Sequence, residues 1–203
     1  MVFIPGGFSG GDEPDGSGKF ITAFFRNAAV REQVTALLAQ RDGLMLGICN
    51  GFQALIKLGL VPYGKILDAD ADFPTLTYNR IGRHQSRIVS NRSPWLAETQ
   101  PGEIYHVPVS HGEGRFLADE RTLESLIAGG QIATQYADFG GHASFDVQDN
   151  PNDSVYAIEG ITSPDGLVLG KMGHSERIGS GLYRNVPGTY DMGLFRSAVR
   201  YFR

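Results

Sequence analysis

The chain has 203 residues, 41% hydrophobic and 20% charged, which suits one domain with a sizeable core and excludes a peptide-sized binding motif. Its 18 Lys and Arg against 22 Asp and Glu give a net charge of −4 with no basic run, so a nucleic-acid groove has no electrostatic support. A single cysteine excludes an intramolecular disulfide and a cysteine-based zinc site, no apolar run nears the roughly 20 residues of a membrane span, and no signal peptide opens the chain; a cytoplasmic protein without metal or membrane partner is expected.

Val2-Phe3-Ile4 reads as a buried strand that runs straight into Pro5-Gly6-Gly7-Phe8-Ser9-Gly10-Gly11-Asp12. A glycine pair placed there can turn backbone N–H groups toward a developing oxyanion; the plainer alternative is an ordinary turn into a helix. A phosphate loop is rejected, because the lysine of G-x-x-x-x-G-K-[ST] is missing and Asp12 and Glu13 would repel phosphate. Residues 17–41 carry helical periodicity through Phe20, Phe24, Val30, Val34, Leu37 and Leu38, with Asn27 as an interruption or fresh cap. Leu44 to Ile48 is a short apolar run, expected of a strand buried on both faces of a parallel sheet. Phe52, Leu55, Ile56 and Leu60 then recur at helical spacing until Gly59 and Pro62 end the helix.

Between that strand and helix stands Gly47-Ile48-Cys49-Asn50-Gly51, a G-x-C-x-G pattern. It is the thiol counterpart of the strained strand-to-helix turn that displays a nucleophile at the top of an α/β sheet. The glycines clear side chains from a tight turn, and the helix N-terminus favours a thiolate, which can lower a thiol pKa from about 8.5 into the range of roughly 3.5 to 7.5. The competing reading is a buried packing cysteine. By the same elbow logic the Asn50 N–H is a second oxyanion donor.

Farther on, residues 81–90, 103–109 and 131–137 read as strands, and Leu117 to Ala128 as a helix. Val155 to Ile161 and Leu167 to Met172 flank Pro164-Asp165-Gly166, strong turn chemistry, and read as a hairpin. The chain closes on a helix with Asp191 as N-cap and an apolar stripe of Phe195, Ala198, Val199 and Phe202. One α/β domain with a mixed sheet, spanning residues 1–203, is the simplest architecture.

A thiolate needs a base, and the histidines are His84, His106, His111, His142 and His174. In Gly173-His174-Ser175-Glu176 an extended backbone puts residues i and i+2 on one face, so Glu176 can orient His174 and complete a Cys-His-Glu triad with Cys49. The alternative is two exposed polar residues at a strand end. His111-Gly112-Glu113-Gly114-Arg115 could line the pocket or an interface, or be a surface loop, and Tyr136, Asp138 and His142 stay open in the same way.

Ile4-Pro5-Gly6-Gly7-Phe8-Ser9, Gly47-Ile48-Cys49-Asn50-Gly51-Phe52-Gln53, Val107 to Arg115, Asn150 to Ser154 and Gly173-His174-Ser175-Glu176-Arg177 together resemble the glutaminase domain of phosphoribosylformylglycinamidine synthase, a triad-type (class I) glutamine amidotransferase. The resemblance implies a flavodoxin-like mixed sheet flanked by helices, Cys49 as nucleophile, His174 as base and acid, Glu176 as orienting carboxylate, and the Gly7 and Asn50 amides as oxyanion hole. It also implies Gln53 as a contact of the substrate glutamine; His111, from the reading of its own loop, is a second substrate-binding candidate. No cofactor is expected in this chain; ATP and Mg would belong to the synthetase partner that consumes the ammonia. Such domains begin with one or two strand-helix units ahead of the Pro-Gly-Gly-Phe loop, so the chain is expected to be an N-terminally truncated form of a larger polypeptide. Two alternatives stay open: a cysteine hydrolase of the same fold, such as a peptidase or γ-glutamyl hydrolase, and a non-catalytic docking domain.

Overall fold

A computed structural model describes residues 1–7, 16–69, 73–78, 85–89, 92–108, 110–183 and 186–203. Phe8 to Asp12, Glu13, residues 81–84 with His84, Ser90 and Val109 lie outside the described residues.

A seven-stranded mixed sheet in the order β1-β2-β9-β8-β7-β4-β5 forms the frame. The strands are β1 (Val2–Ile4), β2 (Met45–Ile48), β4 (Gln85–Ile88), β5 (Ile104–His106), β7 (Ile132–Ala137), β8 (Ile158–Thr162) and β9 (Val168–Lys171). β1, β2 and β9 run parallel, and every pairing from β9 outward through β8, β7, β4 and β5 is antiparallel. As the apolar run implies, β2 is buried along its whole length and sits between β1 and β9. The hairpin is also as read: β8 turns through residues 163–167 into β9, where Asp165 accepts from the Leu167 N–H and from the Ser163 hydroxyl.

Six helices accompany the sheet among the described residues: α1 (Lys19–Arg26), α2 (Ala28–Gln40), α3 (Asn50–Leu58), α4 (Leu60–Tyr63), α5 (Glu120–Ala128) and α6 (Leu194–Tyr201). Asn27 breaks the first long pattern by capping α2, its side chain accepting from the Ala29 N–H at 3.1 Å. α3 packs on β2 and β9, with the Phe52 ring against Gly170; this fully buried ring alone is worth about 1.5–3 kcal/mol of burial. No helix among the described residues is long and apolar enough to cross a membrane.

Several expectations are corrected. α1 buries Thr22 and Phe25, with Ile21 packed beside them, while Phe20 and Phe24 face solvent, because the helix meets α3 on a different face from the one Phe20 and Phe24 mark. α6 docks through Leu194, Ser197 and Ala198, leaving Phe195, Val199 and Phe202 partly exposed, with Phe195 set edge-on to Phe3. Its N-cap is Gly193 at φ 65°; Asp191 sits two residues earlier, accepting from the Gly193 N–H and pairing with Arg196. Val155–Ala157 forms a tight 3-10 turn instead of starting β8. Leu117 belongs to β6 (Glu113–Leu117), which pairs with β3 (Thr75–Tyr78) in a small second sheet, so α5 starts at Glu120 under an Asp119 cap.

Candidate active site

Parallel strands present their C-terminal ends together, and in such sheets that rim is where sites form. Here β1, β2 and β9 deliver Gly6-Gly7, Cys49-Asn50 and Gly173 to Arg177 to one rim.

Cys49 occupies the single residue between β2 and α3, with φ 54° and ψ −109°. A non-glycine residue there is strained, by about 1–3 kcal/mol, and the neighbours hold it. The Cys49 N–H donates to the Lys171 carbonyl at 2.9 Å, and its carbonyl accepts from Gln53 at 3.0 Å as the helix begins. Gly51 is required by contact: a Cβ there would lie 2.1 Å from the Ile4 carbonyl oxygen.

The thiol is buried and its S–H points to the Ser110 carbonyl at a long 4.0 Å. Burial pushes its pKa above the ordinary value; the N–H groups of Asn50 and Gly7 and the Arg177 charge pull the other way without prevailing. This direction is opposite to the lowered thiol pKa expected from the helix N-terminus, because desolvation by burial outweighs the N–H groups that favour the thiolate. Both amides assigned to an oxyanion hole do aim at the sulfur.

His174 is buried, its Nδ1 2.6 Å from Glu176 Oε1, so the i, i+2 reading is realised. Burial works to raise the Glu176 pKa, but the His174 hydrogen bond and the nearby Arg177 leave it below the usual carboxylate range. An ionised Glu176 accepts the Nδ1–H and leaves Nε2 as the basic nitrogen; that atom is buried without a hydrogen-bond partner among the described residues. The His174 ring and Cys49 meet over Gly6, where a Cβ would stand 2.4 Å from His174 Cε1 and 2.9 Å from Cys49 Cβ.

The remaining candidates divide. Gln53 is buried on α3 and its amide donates to the Glu113 carbonyl, which ties the 110–114 segment to the nucleophile's helix. His111 lies on that segment, close enough to His174 for their charges to interact; burial first, then His174, lower its pKa to about 4, so it is neutral at physiological pH. Tyr136 is fully buried, accepts from Asn152, and its pKa is driven up by burial and then by the Glu159 charge. Asp138 and His142 form an exposed turn away from this cluster, and His106 packs against Gly188 and Tyr190.

Arg177 stands in the quoted motif without an assigned role, and Lys171 and Glu159 escape the motif reading. Arg177 donates to the Ser110 hydroxyl at 2.7 Å and lies 3.8 Å from Glu176. Lys171 and Glu159, at 0% exposure, form an ion pair beneath the His174 turn. The available signal was a charge embedded in each apolar strand, Leu169-Gly170-Lys171-Met172 and Ile158-Glu159-Gly160. Among the described residues no cluster of three or more His, Cys, Asp or Glu is placed to hold a metal ion.

The class comes first from comparison with known families: the CobB/CobQ-like glutamine amidotransferase domain matches residues 1–202. Phosphoribosylformylglycinamidine synthase subunit PurQ of Synechococcus elongatus is 36% identical over 200 residues, covering 96% of this chain and 76% of the relative. The subunit of the same name from Thermus thermophilus is 34% identical over 200 residues, covering 98% and 81%. A chain of the solved PurLQS of Thermotoga maritima matches with a TM-score of 0.70 at 26% identity, over 100% of this chain and 80% of that one. The chain belongs to this glutamine amidotransferase family, within the group of phosphoribosylformylglycinamidine synthase subunit PurQ.

Proposed function

We propose that the chain hydrolyses glutamine at Cys49 and supplies the ammonia to an ATP-dependent synthetase, which makes formylglycinamidine ribonucleotide in purine biosynthesis. The observation that carries the reading is that the His174 ring and Cys49 both pack against Gly6, with Glu176 hydrogen-bonded to His174 Nδ1 and the Gly7 and Asn50 amides beside the thiol.

Because the thiol rests protonated, attack begins with transfer of its proton to His174 Nε2. The thiolate adds to the side-chain amide carbon of glutamine, and the Gly7 and Asn50 N–H groups stabilise the resulting oxyanion. His174 returns its proton to the departing nitrogen, leaving ammonia and a glutamyl thioester on Cys49. A water deprotonated by His174 then displaces the thiolate and releases glutamate. Glu176 stays ionised throughout, holding the imidazole's tautomer and orientation. Gln53 and His111 would face the substrate from the helix side and the loop side. ATP and Mg would act on the synthetase, and the cytoplasm is the compartment this pathway implies.

The family favours this amidotransferase over a peptidase or γ-glutamyl hydrolase on the same fold. With the synthetase present, Cys49→Ala should abolish glutamine-dependent amidine formation and leave ammonia-dependent formation intact. Equal loss of both, or of neither, would refute the assignment.

A further inference from the structure

No step above uses the ion pair under the His174 turn. Lys171 Nζ lies 3.0 Å from Glu159 Oε1, and both side chains are fully buried. The ammonium makes two more bonds, to the Gly173 carbonyl at 3.0 Å and the Ser175 hydroxyl at 2.9 Å, which uses all three of its protons. Glu159 Oε1 also accepts the Gly173 N–H at 2.5 Å, while Oε2 accepts the Thr134 hydroxyl. The Gly173 N–H thus ends on this pair, the Gly173 carbonyl is shared between Lys171 and the Ser175 N–H at 3.0 Å, and the Ser175 hydroxyl accepts from Lys171 while donating to Met192 Sδ at 2.9 Å, on either side of His174. The backbone of Lys171 meanwhile receives the Cys49 N–H. One residue therefore touches the chain at the nucleophile and the turn that carries the base.

Stability alone does not account for such a pair. A buried ion pair loses in desolvation about what it gains by attraction, and apolar residues of similar volume often serve as well. Apolar side chains cannot, however, bond the N–H of Gly173, which has left the sheet ladder, nor reach the Ser175 hydroxyl as Lys171 does. Among the described residues the His174 backbone donates its N–H to Pro108 at 3.2 Å and accepts the Arg177 N–H on its carbonyl at 3.1 Å.

We propose that Lys171 and Glu159 are positioning residues, a buried clamp that fixes Gly173 and Ser175 so that the His174 ring stands over Cys49. The clamp acts through His174 and does not touch glutamine, and its catalytic meaning rests on the function proposed above.

The test replaces the clamp by apolar residues, Lys171→Met with Glu159→Leu, in the full chain assayed with its synthetase. The expected result is a kcat for glutamine hydrolysis lower by about 100-fold at a KM within about twofold of wild type, with a melting temperature near the original. The pH profile of Cys49 alkylation should also move upward, since a displaced imidazole no longer draws on the thiol proton. Wild-type kcat together with a wild-type alkylation profile would overturn the clamp. Should the double variant fail to fold, Ser175→Ala removes one bond of the lysine; a several-fold lower kcat at unchanged KM is expected, and unchanged kcat would overturn the proposal. A wild-type chain that releases no ammonia from glutamine would instead count against the function, and the alkylation profile would still decide the clamp.

Discussion

Placing one methyl group on Gly6 tests the site's packing most sharply. The added carbon of Gly6→Ala would lie 2.4 Å from His174 Cε1, 3.3 Å from His174 Nδ1 and 2.9 Å from Cys49 Cβ. Contacts under about 3 Å force a shift, and forcing a methyl into a packed interior costs roughly 1–3 kcal/mol. Cys49 is anchored by its backbone between β2 and α3, whereas the imidazole can rotate, so the ring should give way. That movement strains the 2.6 Å bond to Glu176 and shifts the whole imidazole relative to Cys49. A displacement near 1 Å between reacting groups costs on the order of 100-fold in rate. For a chain of this size the same strain lowers the melting temperature by roughly 2–12 °C. Steady-state glutamine hydrolysis and thermal melting, measured side by side, should show kcat falling about 100-fold with KM little changed. A Gly6→Ala chain with wild-type kcat would refute the placement of His174 against Cys49.

Three further outcomes follow from the electrostatics. Glu176→Gln keeps the shape of the side chain but removes its charge, and kcat should fall by about 100-fold or more; an unchanged kcat would mean that Glu176 does not orient His174. Because burial raises the Cys49 pKa while Arg177 opposes it, the alkylation rate of the resting protein should still climb above pH 8.5, the ordinary thiol range of about 8.5, and Arg177→Met should push that climb higher; a rate already maximal at neutral pH would contradict this. His111 has a folded pKa of about 4 against 6.5 unfolded, so the unfolded chain holds the extra proton between those values. Its contribution, on the order of 3 kcal/mol, is present above pH 6.5 and lost as pH falls toward 4. Urea unfolding of His111→Asn should show a flatter pH dependence across that window, and an identical slope would remove His111 from the account.

The site was more legible in the sequence than the packing around it. Cys49 could be found because a nucleophile elbow constrains residues that are contiguous, glycine on either side and a helix after. His174 and Glu176 could be paired because two residues of extended chain suffice to set them side by side. Helix faces were less readable: α1 offers Phe20 and Phe24 to solvent, since what a helix buries depends on the partner it meets, here α3, which no local pattern encodes. The β3–β6 ladder joins segments almost 40 residues apart; Thr75-Leu76-Thr77-Tyr78 alternates but over four residues only, and Gly114 loosens its partner, so the pairing is not announced locally. Lys171 and Glu159 were hidden for the opposite reason, each absorbed into an apolar strand whose burial is a property of the assembled sheet. The thiol's raised pKa likewise comes from its burial in the assembled fold, and so could not be read from the elbow alone.

The central claim is that Cys49, the single cysteine of the chain, is a glutamine-directed nucleophile activated by His174. Intact-protein and peptide mass spectrometry after treatment with a diazoketone analogue of glutamine tests it directly. One adduct per chain, located on Cys49, suppressed by excess glutamine and strongly slowed in His174→Ala, is the predicted result. Absence of the adduct, its appearance on another residue, or labelling indifferent to both glutamine and His174 would contradict the account.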